Sequence, residues 1–221
     1  MRAIRWITFR RIFDLALTLV VVIVASPIML ITAILIKLDG GPAMFLQPRV
    51  GRNGTVFHVY KFRSMVVNAD QFLDERGMPT RDRITPVGRT IRRTSIDELP
   101  QLLNILKGDM AIIGPRPILP KMLPYMTIEE RRRFHVRPGV TGWAQVNGRN
   151  LIPWSQRFQL DVEYIDTANP IRDFFILLLT AMRVITSSGV VEDRNADQVD
   201  DITNRPLEPS WDLTNTERRI Y

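Results

Sequence analysis

Residues 12–38 constrain what this chain can fold into more than any other stretch. Asp14 and Lys37 are their only charged members. About 20 such residues suffice to cross a bilayer, and no other stretch is apolar enough to enter one. The segment is too long for the core of a secretory signal, and no small-residue cleavage site follows it. Ser26 and Pro27 fall near its middle, where proline removes a helical hydrogen bond and clashes with the turn before it. Each half is then about 12–15 residues, roughly 18–22 Å of helix, too short to span alone. Both flanks are basic: Arg2, Arg5, Arg10 and Arg11 before, then Lys37, Arg49, Arg52, Lys61 and Arg63 after. Basic loops favour the cytoplasmic side. A spanning helix and a helix–break–helix hairpin that enters and leaves one face both remain open. In the hairpin, the Ser26 hydroxyl could meet backbone groups freed at the break.

The 221 residues suffice for one domain with a core plus appendages. The absence of cysteine excludes disulfides, a thiol nucleophile and cysteine-ligated metal. With His58 and His135 the only histidines, a His-rich zinc site is disfavoured. A formal charge of +7 calls for an anionic partner: nucleic acid, an anionic membrane or a phosphorylated substrate. Aromatic residues are not interleaved with the basic runs, which argues against single-strand nucleic-acid binding.

Residues 94–108 read as one short helix. Ser95 and Glu98 have capping-box spacing, and Leu99, Leu102, Leu103 and Leu106 form an apolar stripe at helical period. Lys107 and Gly108 provide the stop, and Pro100 belongs in the first turn. Asp97 and Glu98 then sit at the positive end of the helix dipole, where an Asp should stay ionised and a phosphate would meet free N–H groups. The plain alternative is that the pair only caps a helix. The surroundings favour more: Arg89, Arg92 and Arg93 precede the pair, and Gly-Pro-Arg-Pro at 114–117 follows it. A carboxylate pair within a ring of arginines suits phosphoryl transfer, with a carboxylate nucleophile and guanidinium forks on phosphate oxygens.

Elsewhere the chain alternates short elements. Residues 44–47 and 55–60 read as strands joined by a Gly-bounded hairpin loop at 51–54. Lys61 and Arg63 alternate with apolar residues and would share a strand face. Residues 66–90 form a polar excursion. Residues 111–117 are an apolar run stopped by a turn in which two prolines fix the backbone around Arg116. Residues 118–126 suit a membrane surface or the core, and 127–134 begin a capped, charged helix. In 137–150, glycines would allow close approach of a ligand, Trp143 could cover a ring, and Arg149 could reach an anion. Residues 154–164 are helical, 170–185 form an apolar helix suited to an interface or the core, and 192–221 read as a loosely ordered polar tail.

Five motifs together resemble the bacterial sugar transferases, the monotopic phosphoglycosyl transferases that are also called polyprenyl-phosphate hexose-1-phosphate transferases. They are Lys-Phe-Arg-Ser-Met at 61–65, Ser-Ile-Asp-Glu-Leu-Pro-Gln at 95–101, Leu-Lys-Gly-Asp-Met at 106–110, Gly-Pro-Arg-Pro at 114–117, and Arg-Pro-Gly-Val-Thr-Gly-Trp-Ala-Gln-Val-Asn-Gly-Arg at 137–149. With the Ser26-Pro27 segment, the likeness covers roughly residues 8–190.

The resemblance implies an α+β fold: a small membrane-associated α/β catalytic domain with an N-terminal re-entrant helix hairpin broken at Ser26-Pro27 and interfacial amphipathic helices. The expected divisions are 1–38 for the membrane hairpin, 39–191 for a catalytic domain on the cytoplasmic face, and 192–221 for the tail. The implied reaction moves a sugar-1-phosphate from a UDP-sugar to polyprenyl (undecaprenyl) phosphate and releases UMP, as the first membrane step of glycoconjugate assembly. By position, Asp97 resembles the family's nucleophile and Glu98 its adjacent acid, with Mg²⁺ expected at or near Asp97 or Glu98. Lys61, Arg63, Arg92, Arg116 and Arg149 match phosphate-binding positions. Arg137, Trp143, Gln145 and Asn147 lie in the expected nucleotide or sugar loop. The expected setting is the bacterial cytoplasmic membrane, with lipid and both substrates as partners, no nucleic acid, and the oligomeric state open. A membrane-anchored basic binding protein without chemistry is the competing reading.

Overall fold

The structure, a computed structural model, describes residues 2–72, 83–148, 152–185 and 200–206. Two helices open the chain, α1 (Arg2–Phe9) and α2 (Arg11–Leu38). An antiparallel hairpin follows, β1 (Met44–Val50) with β2 (Val56–Phe62), in register from Met44 opposite Phe62 to Val50 opposite Val56. Helices α3 (Pro86–Arg93) and α4 (Gln101–Lys107) lead to β3 (Ala111–Ile113). Then come α5 (Ile128–Arg131), β4 (Gly139–Thr141) parallel to β3, α6 (Trp143–Asn147), α7 (Trp154–Thr167) and α8 (Pro170–Ile185). This is a mixed helix-and-sheet fold with one long apolar N-terminal helix.

The helical assignment of α2 is continuous through Pro27, so the expected division into two helices at Ser26-Pro27 is not seen. The carbonyl that Pro27 leaves without its backbone donor is that of Ile23, four residues earlier. Ser26 Oγ donates to it at 2.8 Å. A side-chain hydroxyl thus keeps the backbone satisfied and the helix unbroken.

Both ends of α2 are tied to the same domain. At its start, buried Arg10 donates to Asp173, to Tyr164 Oη at 2.6 Å and to Ile113 O at 2.7 Å. Arg11 donates to the carbonyls of Ile105 and Met110 at the end of α4. Near its end, Ile36 is buried with Ala43, Phe62 and Ile91, and its carbonyl accepts from Arg63 at 3.0 Å. Between these anchors, Leu19, Val20, Ile23, Val24, Ile28 and Leu30 are exposed. Among the described residues this is the one helix long and apolar enough to cross a membrane.

Helix α8 repeats the inside-out pattern. Asp173 and Ile176 face the core, while Ile171, Phe174, Phe175, Leu178 and Met182 make an exposed stripe at helical spacing. Residues 118–126 contribute to the core through Ile118 and Met126, which pack with Val50, Phe134 and Phe158. That cluster also contains Ile202. Residues 200–206 therefore dock on the domain, with Arg205 paired to Glu130 and Asp201 to Ser155, where the sequence read a loose tail.

Candidate active site

The turn that carries Asp97 and Glu98 is built differently from the helix start read in the sequence. Thr85 caps α3 by accepting from the Gly88 N–H at 2.9 Å, with Pro86 in the first turn. Helix α3 ends at Arg93, and Ser95 then adopts φ 58°, the left-handed region, which reverses the chain. Ile96–Glu98 form a single 3₁₀ turn, and α4 begins beyond Pro100. No capping box forms, because Ser95 makes no side-chain cap and the Glu98 carboxylate is held elsewhere. The stop is as read: Gly108 has φ 96° behind Lys107.

The face that α4 buries also differs. Gln101, Asn104 and Ile105 are buried, while Leu103 and Leu106 are exposed. Asn104 explains the inversion. Its Oδ1 accepts from the Tyr60 N–H at 2.9 Å and its Nδ2 donates to the His58 carbonyl at 2.8 Å. The amide thus pairs with the open edge of β2 as a neighbouring strand would, and holds the dyad turn beside the strand that carries Lys61.

Three parts of the chain bring cations to the dyad: β2, the turn after β3, and α3. Lys61 at the end of β2 places Nζ 2.7 Å from Oε1 of Glu98. Arg116, in the Gly-Pro-Arg-Pro turn after β3, places Nη2 2.7 Å from the same oxygen. Burial pushes the Glu98 carboxyl up, but Arg116 and Lys61 outweigh it and hold Glu98 well below the usual carboxylate range. Asp97 is the opposite case. Burial first, then the Glu98 charge, raise its pKa above the ordinary aspartate value, against Lys61, Arg92 and Arg116. The expected dipole-held ionisation of Asp97 thus gives way to desolvation, since the residue sits in a separate turn ahead of α4. Among the described residues, the Asp97 carboxylate makes no hydrogen bond or ion pair. Arg92 Nη1 is buried and has no hydrogen-bond partner either.

Arg116 is fixed from behind. Arg133 donates to its carbonyl at 2.7 Å and to Asp161 of α7 at 2.6 Å, a pair with both side chains buried. The glycines around it allow backbone to cross backbone. A Cβ at Gly139 would stand 2.1 Å from the Gly114 nitrogen, and one at Gly142 would stand 2.1 Å from the Gly114 carbonyl oxygen. These glycines bring β4 onto the Arg116 turn by close approach of backbone to backbone.

Other residues singled out in the sequence fall outside this ring. Arg63 is buried beyond the end of β2 and holds the Ile36 carbonyl. Arg137 donates to Gly108 O at 2.7 Å and lines a recess with Arg11 and Arg52. Trp143 lies under the Arg172 guanidinium at 4.4 Å and packs on the core. Gln145 donates to Val140 O and Asn147 to Trp143 O, both within their own segment. Arg149 lies outside the described residues. Sequence reasoning missed Arg49, which donates to the Pro117 carbonyl beside Arg116, and Arg157 of α7, which feels the Arg116 charge. Burial and Arg116 push the Arg49 guanidinium down to about 10 and lower Arg157 as well. The only sequence signal for them was a surplus of arginine.

Comparison with known proteins places this arrangement. The family model for bacterial sugar transferases matches residues 5–187. The chain belongs to the bacterial sugar transferase family. An uncharacterized sugar transferase of Bacillus subtilis, EpsL, is 45% identical over 184 residues, covering 82% of this chain and 89% of its own length. The UDP-glucose:undecaprenyl-phosphate glucose-1-phosphate transferase of Caulobacter vibrioides is 37% identical, covering 81% of this chain and 71% of its own. The undecaprenyl-phosphate galactose phosphotransferase of Salmonella typhimurium is 40% identical over 81% of this chain, which spans only 41% of that relative's length.

Proposed function

We propose that this family member transfers a sugar-1-phosphate from a UDP-sugar to a polyprenyl phosphate through a covalent intermediate on Asp97. One observation carries the assignment: an ion-pair-free carboxylate, Asp97, in a ring of cations whose Arg92 Nη1 is buried without a partner. The buried Arg92 nitrogen is desolvated without a protein partner, a costly arrangement that a bound phosphate relieves, and the unpaired Asp97 carboxylate beside it is left free to attack. The UDP-glucose donor and undecaprenyl-phosphate acceptor of the Caulobacter relative, and the undecaprenyl-phosphate acceptor of the Salmonella one, support the same substrate classes.

In this reading an Asp97 oxygen attacks the sugar-bearing phosphorus. The bond from that phosphorus to the bridging oxygen breaks, and UMP leaves with the electron pair. An oxygen of the polyprenyl phosphate then attacks the same phosphorus and displaces the carboxylate, which returns Asp97 and yields the polyprenyl-diphosphate sugar. Lys61 and Arg92 receive phosphate oxygens, and Glu98 holds Lys61 and Arg116 in place for them. Partial burial of Asp97 thins its water shell, which strengthens it as a nucleophile once ionised.

Mg²⁺ fits Asp97 better than Glu98. Among the described residues no three His, Asp or Glu side chains gather around a metal-sized space. Mg²⁺ commonly takes one or two carboxylates plus substrate phosphates. Asp97 has a carboxylate free for that role, whereas Glu98 is engaged by two cations. When bound, the ion supplies charge neutralisation at the departing phosphate.

The membrane reading follows from the two anchors of α2. A helix of 28 residues is about 42 Å long, yet both of its ends dock on one domain. We infer that the helix enters and leaves the same, cytoplasmic, face of the bacterial inner membrane, bent at Pro27, with α8 lying on the interface. The dyad would then stand where a water-soluble donor meets a lipid acceptor, at the first membrane step of glycoconjugate assembly. The test is UMP release from a panel of UDP-sugars with undecaprenyl phosphate and Mg²⁺. The wild-type protein releases UMP and Asp97→Asn does not. Equal release by both, or none with any sugar, would sink the assignment and favour a binding protein.

A further inference from the structure

The recess that Arg137 shares with Arg11 and Arg52 takes no part in the steps above. Ile4 and Ile7 of α1, Arg11 of α2, Arg52 between the strands of the hairpin, and His135 and Arg137 ahead of β4 line it. Its cavity volume is about 40 Å³, and one water-sized group needs about 10–15 Å³. The oxygens of one phosphate fit. The recess lies at the far end of α4 from the dyad. Arg11 donates to Ile105 O and, at 2.8 Å, to Met110 O, and Arg137 Nε donates to Gly108 O at 2.7 Å, all around the C-terminal end of that helix. Asp97 and Glu98 precede its first residue, and about 10 Å of helix separates its two ends.

Capping α4 accounts for only part of this charge. A guanidinium carries five N–H donors. Arg11 spends both terminal nitrogens on carbonyls, but Arg137 spends only Nε, and Arg52 is exposed and spends none. Among the described residues no carboxylate pairs with any of the three. Asp14 also lines the recess, but its side chain is buried and paired with Arg10 at 3.5 Å. Three arginines from separate segments thus line one hollow with their charge unmatched by protein, which favours an anion there.

The hollow stands where the membrane helix begins. Helix α1 joins α2 beside it, and Phe9, Ile12 and Phe13 at that junction are exposed. Ile4, one of the lining residues, is half-exposed as well. A cationic hollow with an apolar rim, at the foot of a helix that enters the bilayer, matches a molecule with an anionic head and apolar tails. We propose that this recess binds the headgroup phosphate of an anionic bilayer phospholipid, at a site separate from the dyad that seats the rear of α4 on the membrane surface. The assignment rests on the membrane reading of α2 and is independent of the chemistry at Asp97.

The experiment titrates the full-length protein in neutral detergent with short-chain phosphatidylglycerol, and in parallel with short-chain phosphatidylcholine, glycerol phosphate and inorganic phosphate. Wild type should bind phosphatidylglycerol saturably and more tightly than the other three. Arg52→Gln should weaken that binding by about fivefold, and Arg52→Lys should keep most of it. Exposed Lys121→Gln removes one charge outside the recess and should match wild type. Adding Arg137→Gln to Arg52→Gln should weaken binding further. Arg52 makes no hydrogen bond that the fold needs, so its variants carry the test if the double variant fails to fold. No saturable binding by wild type, or an unchanged affinity in Arg52→Gln, overturns the assignment. Equal affinity for phosphatidylcholine removes the preference for an anionic lipid, and equal affinity for inorganic phosphate makes the ligand a free anion; either result overturns it as well. None of these outcomes depends on UMP release or on the side from which α2 is entered, so the transferase and membrane readings stand or fall by their own tests.

Discussion

Arg116 donates to Oε1 of Glu98 at 2.7 Å, and Lys61 reaches the same oxygen at the same distance. One carboxylate oxygen thus fixes two cations that come from different parts of the chain, while its neighbour Asp97 is left unpaired. The two acids are adjacent in sequence but have opposite electrostatic settings. Glu98 is held ionised by its partners, and Asp97 is pushed toward protonation by burial and by Glu98.

Glu98→Gln should therefore act in two ways. Loss of the charge-assisted bonds frees Lys61 and Arg116 and slows turnover by about 10- to 100-fold. It also removes one of the causes that raise the Asp97 pKa. The raised pKa means that Asp97 loses its charge as pH falls through a midpoint above the ordinary aspartate value. The acid limb of kcat/KM in wild type lies there, and in Glu98→Gln it moves to lower pH. A limb that stays in place or moves up would contradict this coupling.

The Arg133–Asp161 pair predicts a separation of stability from activity. Asp161→Asn leaves a buried guanidinium short of its counter-charge and should cost about 3–5 kcal/mol of stability. Replacing both, as Arg133→Met with Asp161→Leu, should recover most of that loss because an apolar pair of similar volume replaces the ions. It does not restore the bond to the Arg116 carbonyl. Thermal unfolding and UMP release on the same samples check this: the double variant should be folded and slow. Full activity would mean that Arg116 needs no support from behind.

The cysteine-free chain makes the membrane reading directly accessible. Thr8→Cys lies just before α2 and Lys37→Cys in its last turn, and in the re-entrant reading a membrane-impermeant thiol reagent labels both from the cytoplasmic side of oriented vesicles. Pro27→Ala restores the missing backbone donor for Ile23, but with both ends of α2 anchored in one domain the two positions should still label from the same side. Opposite-side labelling in the otherwise unaltered protein would make α2 a spanning helix.

The parts of the site legible in the sequence were those whose signal is local. The Asp97-Glu98 pair, the proline-flanked Arg116 and the Gly108 stop all lie within short motifs, and the structure puts Arg116 against Glu98. Errors arose where a residue's partner is distant. Leu103 and Leu106 fit a core stripe by period, but the inward face is chosen by Asn104, which serves the edge of β2 44 residues earlier. Within the loop read as a ligand segment, Gly139 and Gly142 also make the crossing that seats β4 on the Gly114 turn, a distant contact that no local spacing signals. Arg63 looked equivalent to Lys61, but the strand ends between them, and Arg63 turns to the end of α2. On α8, periodicity located two faces without saying which one meets protein.

The central claim is that Asp97 is a covalent nucleophile, and intact mass measures it most directly. The purified protein is incubated with Mg²⁺ and UDP-sugars without lipid acceptor. Wild type should gain the mass of one sugar phosphate, with UMP released in equal amount, and Asp97→Asn should gain nothing. Adding polyprenyl phosphate should then discharge the adduct. An adduct that persists in Asp97→Asn, or acceptor-dependent UMP release with no adduct at any time, would contradict the account.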